Sequence, residues 1–381
     1  ATFCSWYPIT PSTSVAEGYE KYASKYRVDP QTGKNNYISV QAEDELAAVG
    51  MAIGANWNGA RGFTATSGPG ISLMSEFLGL AYFAEVPLVL FNIQRGGPST
   101  GMPTRTQQSD ILSCAYASHG DTKHVLLFPE DPQECFEFSA EAFNLAERLQ
   151  TPVFVISDLD IGMNDWVTDK FEWDDEQKYD RGKVLKAEDL DQMDNFGRYL
   201  DVDDDGICYR TYPGTHPEKG AFFTRGTSHD EYARYTENGD INEQTLTRLV
   251  KKFRTASELV PDPIINLSEK QGSSGVIFYG STSAAMYEAK DILNENNIEV
   301  DLMRIRSFPF NLDVWEFIEN HDLIYVIEQN RDSQMRTLIM AEGGISAEKL
   351  RSLVWFNGDP IQAKFIAKKI YERESQQALI T

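Results

Sequence analysis

Three short stretches of the chain carry residue types whose spacing can do chemistry. "TATSGPG", residues 64 to 70, is a glycine-bearing turn between a strand pattern and a helix pattern expected to begin near Ile71. Backbone amides at such a helix start can face an anion or a polar ligand. It is not a P-loop, because Ile71 and Ser72 stand where a lysine is needed, and Pro69 removes an amide that a phosphate nest would use. A plain structural turn and a ligand-facing turn both stay open. In "AEDELAAVGMAIGANWNG", Glu45 flanks the stripe formed by Leu46, Val49 and Ile53, where a carboxylate would be partly desolvated unless paired. Alternatively Glu43, Asp44 and Glu45 all decorate the first helical turn, where the macrodipole favours negative charge. The third stretch, "NIQRGGPSTGMPTRTQQSD" from 92 to 110, follows a buried strand at the edge where open α/β sheets place ligands. Arg95 and its two glycines can there hold a carboxylate bidentately, or merely close a surface salt bridge. Thr10, between the φ-restricting Pro8 and Pro11, is held in a similarly rigid setting.

The elements that must position these residues read as α/β. From 38 to 158 short apolar runs such as "GFTAT", "VPLVLFNIQ" and "TPVFVISD" alternate with amphipathic helices, which argues for a parallel sheet flanked by helices. Residues of about 165 to 235 break that pattern with acidic, aromatic, Gly and Pro residues. A helical connector, "NEQTLTRLVKKFRTASEL", follows. The alternation restarts with "SGVIFYGST" and continues through "DLIYVIEQN" to "IQAKFIAKKIYERES", four strands and four helices in a smaller domain. The expected division is therefore 1–235, a connector at 236–270, and 271–381.

Composition removes several function classes. In 381 residues, 58 acidic against 35 basic side chains give a formal charge of -23, so nucleic acid is a poor partner for most of the surface. No apolar run approaches the length of a membrane span. Cys4, Cys114, Cys135 and Cys208 are dispersed, which fits a reducing cytoplasm and neither a cluster nor a disulfide framework. The five histidines form no metal-ligand pattern, although His229 in "RGTSHDEYAR" suggests an ordered polar loop. Asp203-Asp204-Asp205-Gly206 lacks the glutamate of a calcium loop and reads as an acidic turn, so no metal site is expected.

Taken in order, the pieces resemble a family. "YPITPSTSVAE", "AEDELAAVGMAIGANWNGARGFTATSGPG", "PLVLFNIQRGGPSTGMPT", "GTSHDEYAR", "YGST" and "VIEQN" resemble the alpha subunit of thiamine-diphosphate-dependent 2-oxoacid:ferredoxin oxidoreductases, the 2-oxoglutarate branch most. The resemblance spans essentially the whole chain. It implies two α/β, parallel-sheet domains like the pyrimidine-binding and C-terminal domains of transketolase. It implies thiamine diphosphate shared with a beta subunit that carries magnesium and a 4Fe-4S cluster, coenzyme A as cosubstrate, and ferredoxin as electron acceptor. Assembly as a dimer of alpha–beta units, with a gamma-like domain or separate chain, is implied as well. Glu45 matches the glutamate that contacts the aminopyrimidine ring, with Ser67 and Gly68 as further cofactor contacts. Thr10 and Arg95 match residues that bind the 2-oxoacid, and Ser99 and Thr100 belong to the same substrate loop. A distal carboxylate would need a second cation, for which Arg61, Arg105 and Arg225 are candidates. The implied reaction converts 2-oxoglutarate and coenzyme A to succinyl-CoA and carbon dioxide. Pyruvate or a branched-chain 2-oxoacid as substrate, and a noncatalytic assembly subunit, are the alternatives.

Overall fold

A computed structural model describes residues 1–174, 176–268 and 274–378. The boundary expected between 270 and 271 lies outside these residues.

Among the described residues two sheets form. The first is built from β1 (Phe3–Trp6), β2 (Ile38–Gln41), β3 (Gly62–Thr66), β4 (Leu88–Gln94), β5 (Val125–Leu127) and β6 (Pro152–Asp158), all parallel. Between and after them run α1 (Thr13–Tyr26), α2 (Glu45–Trp57), α3 (Gly68–Phe83), the short α4 (Ile111–Ala115), α5 (Pro132–Leu149) and the short α6 (Leu159–Met163). The segment that follows carries only α7 (Ala187–Asp191) before α8 (Gly239–Ser257). The second sheet takes β7 (Ile264–Asn266), β8 (Ser274–Tyr279) and β9 (Asp301–Ile305). After β10 (Ser307–Phe308) it is completed by β11 (Leu323–Glu328) and β12 (Leu350–Val354), with α9 (Thr282–Glu295), α10 (Leu312–Glu319), α11 (Gln334–Gly343) and α12 (Ala363–Ala378) around it.

Both sheets are the parallel α/β type that the alternating pattern predicts, and each gains one antiparallel edge. β7, from within the segment read as a connector, pairs with β9, and β10 leaves its own domain to pair with β5 through Ser307 and Leu127. A two-residue strand carries no periodicity, so only the tertiary pairing reveals it.

The burial of β6 throughout and of β4 at every residue but Ile93 explains their apolar sequences, since helices cover both faces. On one face Phe63, Phe91, Val153 and Val155 pack with Phe143 and Leu149 of α5. On the other, Leu88, Leu90 and Phe154 belong to a cluster that runs without a break into Tyr279, Met303, Val326 and Leu338 of the second domain. The two domains therefore share a core. A buried ion cluster adds to it: Arg304 of β9 meets Glu134 of α5 at 2.6 and 2.8 Å and Glu130 at 3.1 Å.

Segment 165–235 lies largely along the edge of the first sheet where the parallel strands begin. Arg181 donates to the carbonyl of Gly59 after α2, Arg198 to that of Glu85 after α3, and Gln150 after α5 donates to Cys208. Because each helix runs back to the start of the next strand, these contacts all sit at the edge opposite the strand C-termini. The acidic turn at 203–206 is fastened there: Lys183 pairs with Asp203 and Asp205 at 2.7 and 2.8 Å, and Lys251 with Asp201 and Asp204. His229 is fully buried between Tyr199 and Phe83, and burial pushes its pKa down, so its role is packing.

Candidate active site

The C-terminal ends of β1, β2, β3 and β4 all emerge at one edge, and each delivers a residue singled out in the sequence. β1 leads through Tyr7 to Thr10, β2 through Ala42 to Glu45, β3 directly to Ser67, and β4 directly to Arg95. β1 lies between β2 and β3, so the chain leaves it in one direction to β2 and returns on the other side to β3. Such a reversal opens a crevice beyond the strand ends.

Asp44 caps α2 by accepting from the amide of Ala47 at 2.7 Å, which leaves Glu45 as the first helical residue. Its side chain is turned inward: Glu45 is 6% exposed, whereas Leu46, placed on the apolar stripe by the sequence, is 38% exposed. Packing against α3 sets the facing of α2, and Val49, Ala52, Ile53 and Asn56 join Glu45 on the buried side. The Glu45 carboxylate has no hydrogen-bond or ion-pair partner among the described residues.

The turn at 64–70 is shaped to admit that side chain. α3 begins at Gly68, earlier than the expected Ile71, with Pro69 in its first turn where a missing amide costs nothing. A Cβ on Gly70 would lie 1.9 Å from Thr66 Oγ1 and 2.9 Å from Glu45 Cγ. Gly70 is therefore required by the close approach of Glu45 and Thr66. Ser67 occupies the cap position, fully buried, yet its hydroxyl makes no cap bond and has no partner.

Arg95 is 7% exposed and donates from Nη1 to the carbonyl of Thr10 at 2.7 Å, while its buried Nε has no acceptor. Thr10 and Arg95 are thus brought together, as are Glu45, Ser67 and Gly68. Ser99 and Thr100 are not drawn into either group; they stand exposed at the tip of the loop, Ser99 with φ 57°. Of the three further arginines, Arg61 precedes β3 at the opposite edge, where it donates to Asn144. Arg225 donates to the carbonyl of Ala233 in the segment along that same edge, and Arg105 lies on the Arg95 loop, paired with Asp359 at 3.0 Å.

Several residues of this edge were not found from the sequence. The loop after Arg95 is fastened by the second domain: Gln108 donates to the carbonyl of Tyr279, accepts from the amide of Gln329, and its own carbonyl accepts from Asn330. "YGST" and "VIEQN" thus act by holding the loop. Ser281 completes the join by donating to Asp158 at the end of β6 at 2.6 Å. Asn92 and Gln94, buried polar side chains late in the apolar β4, approach Asp110. A polar residue near the end of a buried strand was the available signal.

A carboxylate without a protein partner on the largely enclosed Glu45, an unused cap hydroxyl and a helix start opened by two glycines suit the donors and acceptors of an aminopyrimidine. Glu45, Ser67 and Gly68 are the residues that could hold it. Among the described residues no group of three or more His, Cys, Asp or Glu is placed to hold a metal, and no helix is long and apolar enough to cross a membrane.

Comparison with known proteins shows the family. Residues 1–254 match the family model described as pyruvate flavodoxin/ferredoxin oxidoreductase, thiamine diphosphate-binding. The 2-oxoacid:ferredoxin oxidoreductase 1 alpha subunit of Sulfurisphaera tokodaii is 35% identical over 94% of this chain and 56% of its own. The 2-oxoglutarate synthase subunit KorA of Methanocaldococcus jannaschii is 36% identical over 82% of this chain and 79% of its own. A solved structure, the 2-oxoglutarate:ferredoxin oxidoreductase from Magnetococcus marinus with 2-oxoglutarate, coenzyme A and succinyl-CoA bound, superposes with a TM-score of 0.86 at 28% identity. That superposition covers 97% of this chain and 62% of the other. The chain thus spans little more than half the length of the Sulfurisphaera relative. By the match of residues 1–254 and by these relatives, the chain belongs to the thiamine-diphosphate-binding pyruvate flavodoxin/ferredoxin oxidoreductase family, alongside the alpha subunits of 2-oxoacid:ferredoxin oxidoreductases.

Proposed function

We propose that the chain is the alpha subunit of a 2-oxoglutarate:ferredoxin oxidoreductase, forming succinyl-CoA and carbon dioxide and passing electrons to ferredoxin. The observation that carries this reading is Glu45, its Cγ packed against Gly70 and its carboxylate without a partner among the described residues, on the same edge as Arg95, whose Nε has no acceptor. The substrate is supported by the 2-oxoglutarate named for the KorA relatives and for the Magnetococcus structure. Thiamine diphosphate, when bound, supplies the carbon nucleophile and the electron sink that a decarboxylation needs.

The residues of this chain do the rest by position and charge. Glu45 holds or moves a proton at the aminopyrimidine ring. Ser67 and Gly68 offer a hydroxyl and a backbone amide at the start of α3. Arg95, kept oriented by the Thr10 carbonyl, presents its remaining N–H groups to the 2-oxoacid carboxylate, with Thr10 beside it. Ser99 and Thr100, at the loop tip, close over the substrate in the assembled enzyme. Magnesium and the 4Fe-4S cluster belong to a beta subunit, and the working unit is a dimer of alpha–beta pairs with a gamma-like domain or chain, in the cytoplasm. The four free cysteines fit that compartment.

Glu45→Gln tests the assignment in the assembled complex. Turnover should fall by at least about 100-fold, with cofactor occupancy and thermal midpoint near those of the wild type. Near-normal turnover at full occupancy would refute the role of Glu45.

A further inference from the structure

The loop that follows Arg95 is folded back on itself. The Gly96 amide donates to the carbonyl of Arg105 at 2.9 Å, the Met102 amide to the carbonyl of Gly96 at 2.7 Å, and the Gly97 amide to Gln107 Oε1 at 3.1 Å. Gly101 permits this closure, since its φ is 53° and a Cβ there would lie 1.9 Å from the Gly96 carbonyl oxygen. The residue directly after the arginine is therefore tied to Met102 and Arg105.

Both of those residues rest on the second domain. The turn after β12 is fixed by its own bonds, Trp355 Nε1 donating to the carbonyl of Asp359 at 2.7 Å and the Asp359 amide to Asn357 Oδ1 at 2.9 Å. From this turn the Gly358 carbonyl accepts from the Thr106 amide at 3.1 Å, and Asp359 pairs with Arg105 at 3.0 Å. Met102 stands between loop and turn. A Cβ on Gly96 would lie 3.2 Å from Met102 Cε, and a Cβ on Gly358 would lie 2.6 Å from the same atom and 3.1 Å from Arg105 Cβ. The methyl group of Met102 therefore bears on two backbones at once, that of Gly96 beside Arg95 and that of Gly358 in the other domain. Glycine at both positions lets the side chain in, and an unbranched, adaptable thioether suits such a gap. Met102 is 41% exposed, so the packing of a core does not account for it.

We propose that Met102 is a positioning residue for substrate binding: wedged between Gly96 and Gly358, it carries the placement of the second domain to Arg95. The proposal rests on the reading of Arg95 as the 2-oxoacid receptor. It makes the affinity for the 2-oxoacid, and not the chemical step, depend on a side chain that touches no reacting atom.

The test is steady-state kinetics of the reconstituted complex with 2-oxoglutarate. Met102→Ala should raise KM roughly fivefold or more, with kcat and the thermal midpoint near those of the wild type, and Met102→Leu, which refills the gap, should restore most of the affinity. Gly358→Ala should raise KM in the wild type but add little in Met102→Ala, because the methyl group it would strike is gone. Action through the arginine is read from a further double variant: once Arg95→Met has removed the guanidinium, Met102→Ala should leave KM where Arg95→Met put it. An unchanged KM in Met102→Ala would overturn the proposal, as would a loss confined to kcat. So would a Met102→Ala effect of the same size with and without Arg95. A raised KM in Arg95→Met beside a neutral Met102→Ala rejects the wedge alone, whereas an unchanged KM in Arg95→Met rejects the reading of Arg95 and this proposal with it.

Discussion

An arginine that is nine-tenths enclosed, with one N–H group satisfied by a carbonyl and another by nothing, is arranged to receive an anion. Removing the fork should cost affinity: Arg95→Met should raise KM for the 2-oxoacid at least thirtyfold, about 2 kcal/mol, and Arg95→Lys should recover little, since an ammonium cannot reproduce the fork. Steady-state kinetics at constant thermal midpoint checks both. At the residue scale the sheet edge these residues occupy was legible, whereas their roles came only from the family resemblance. Glu45, Arg95, Thr10 and Ser67 could be read because the strand pattern fixes which end of the sheet they occupy. Asp110 could not, because an aspartate opening a short helix looks like any cap, and only the contacts with Asn92 and Gly68 show where its side chain goes. The facing of Glu45 was left open for a similar reason. Helical periodicity alone could not decide between Glu45 and Leu46, and the packing of α2 on α3 decides it.

At the scale of elements, the glycines of the 64–70 turn make way for side chains. Gly70→Ala would drive a methyl into Thr66 Oγ1 and the Glu45 side chain, and should destabilise the protein by about 1–3 kcal/mol. Gly68→Ala would press on the Asp110 carboxylate instead. Denaturant unfolding of both variants measures the cost, and unchanged stability of Gly70→Ala would mean that Glu45 is not held where the structure has it. The alternating strands and helices were readable because buried parallel strands are apolar throughout and strand and helix periods differ. Segment 165–235 was opaque because it has neither period. It is held by individual pairs, such as the buried Arg210–Glu147 and Arg181–Glu147 contacts, which no local pattern encodes. Its course along the opposite sheet edge means that most of it braces helix ends and does not cover the Glu45 and Arg95 side chains.

At the scale of the molecule, the second domain holds the loop after Arg95 in place through Gln108, Gln329 and Asn330, so the join between domains positions that loop. Glu134 and Arg304 secure that join. Burial works against the Glu134 carboxylate, but the hydrogen bonds and charge of Arg304 and Arg306 outweigh it and hold its pKa below the ordinary value. Because the folded pKa is depressed, this stabilisation is present above about pH 4.5 and is lost as pH falls through the folded value. Arg304→Met, which strands a buried carboxylate, should cost about 3–5 kcal/mol at neutral pH and flatten the acid limb of stability, both visible in urea unfolding against pH. The activity of the chain in its assembly is tested most directly by coenzyme-A-dependent reduction of ferredoxin or a viologen by the purified complex over a panel of 2-oxoacids. The predicted result is rapid reduction with 2-oxoglutarate that stops when coenzyme A is withheld; strong reduction with pyruvate and none with 2-oxoglutarate would contradict it.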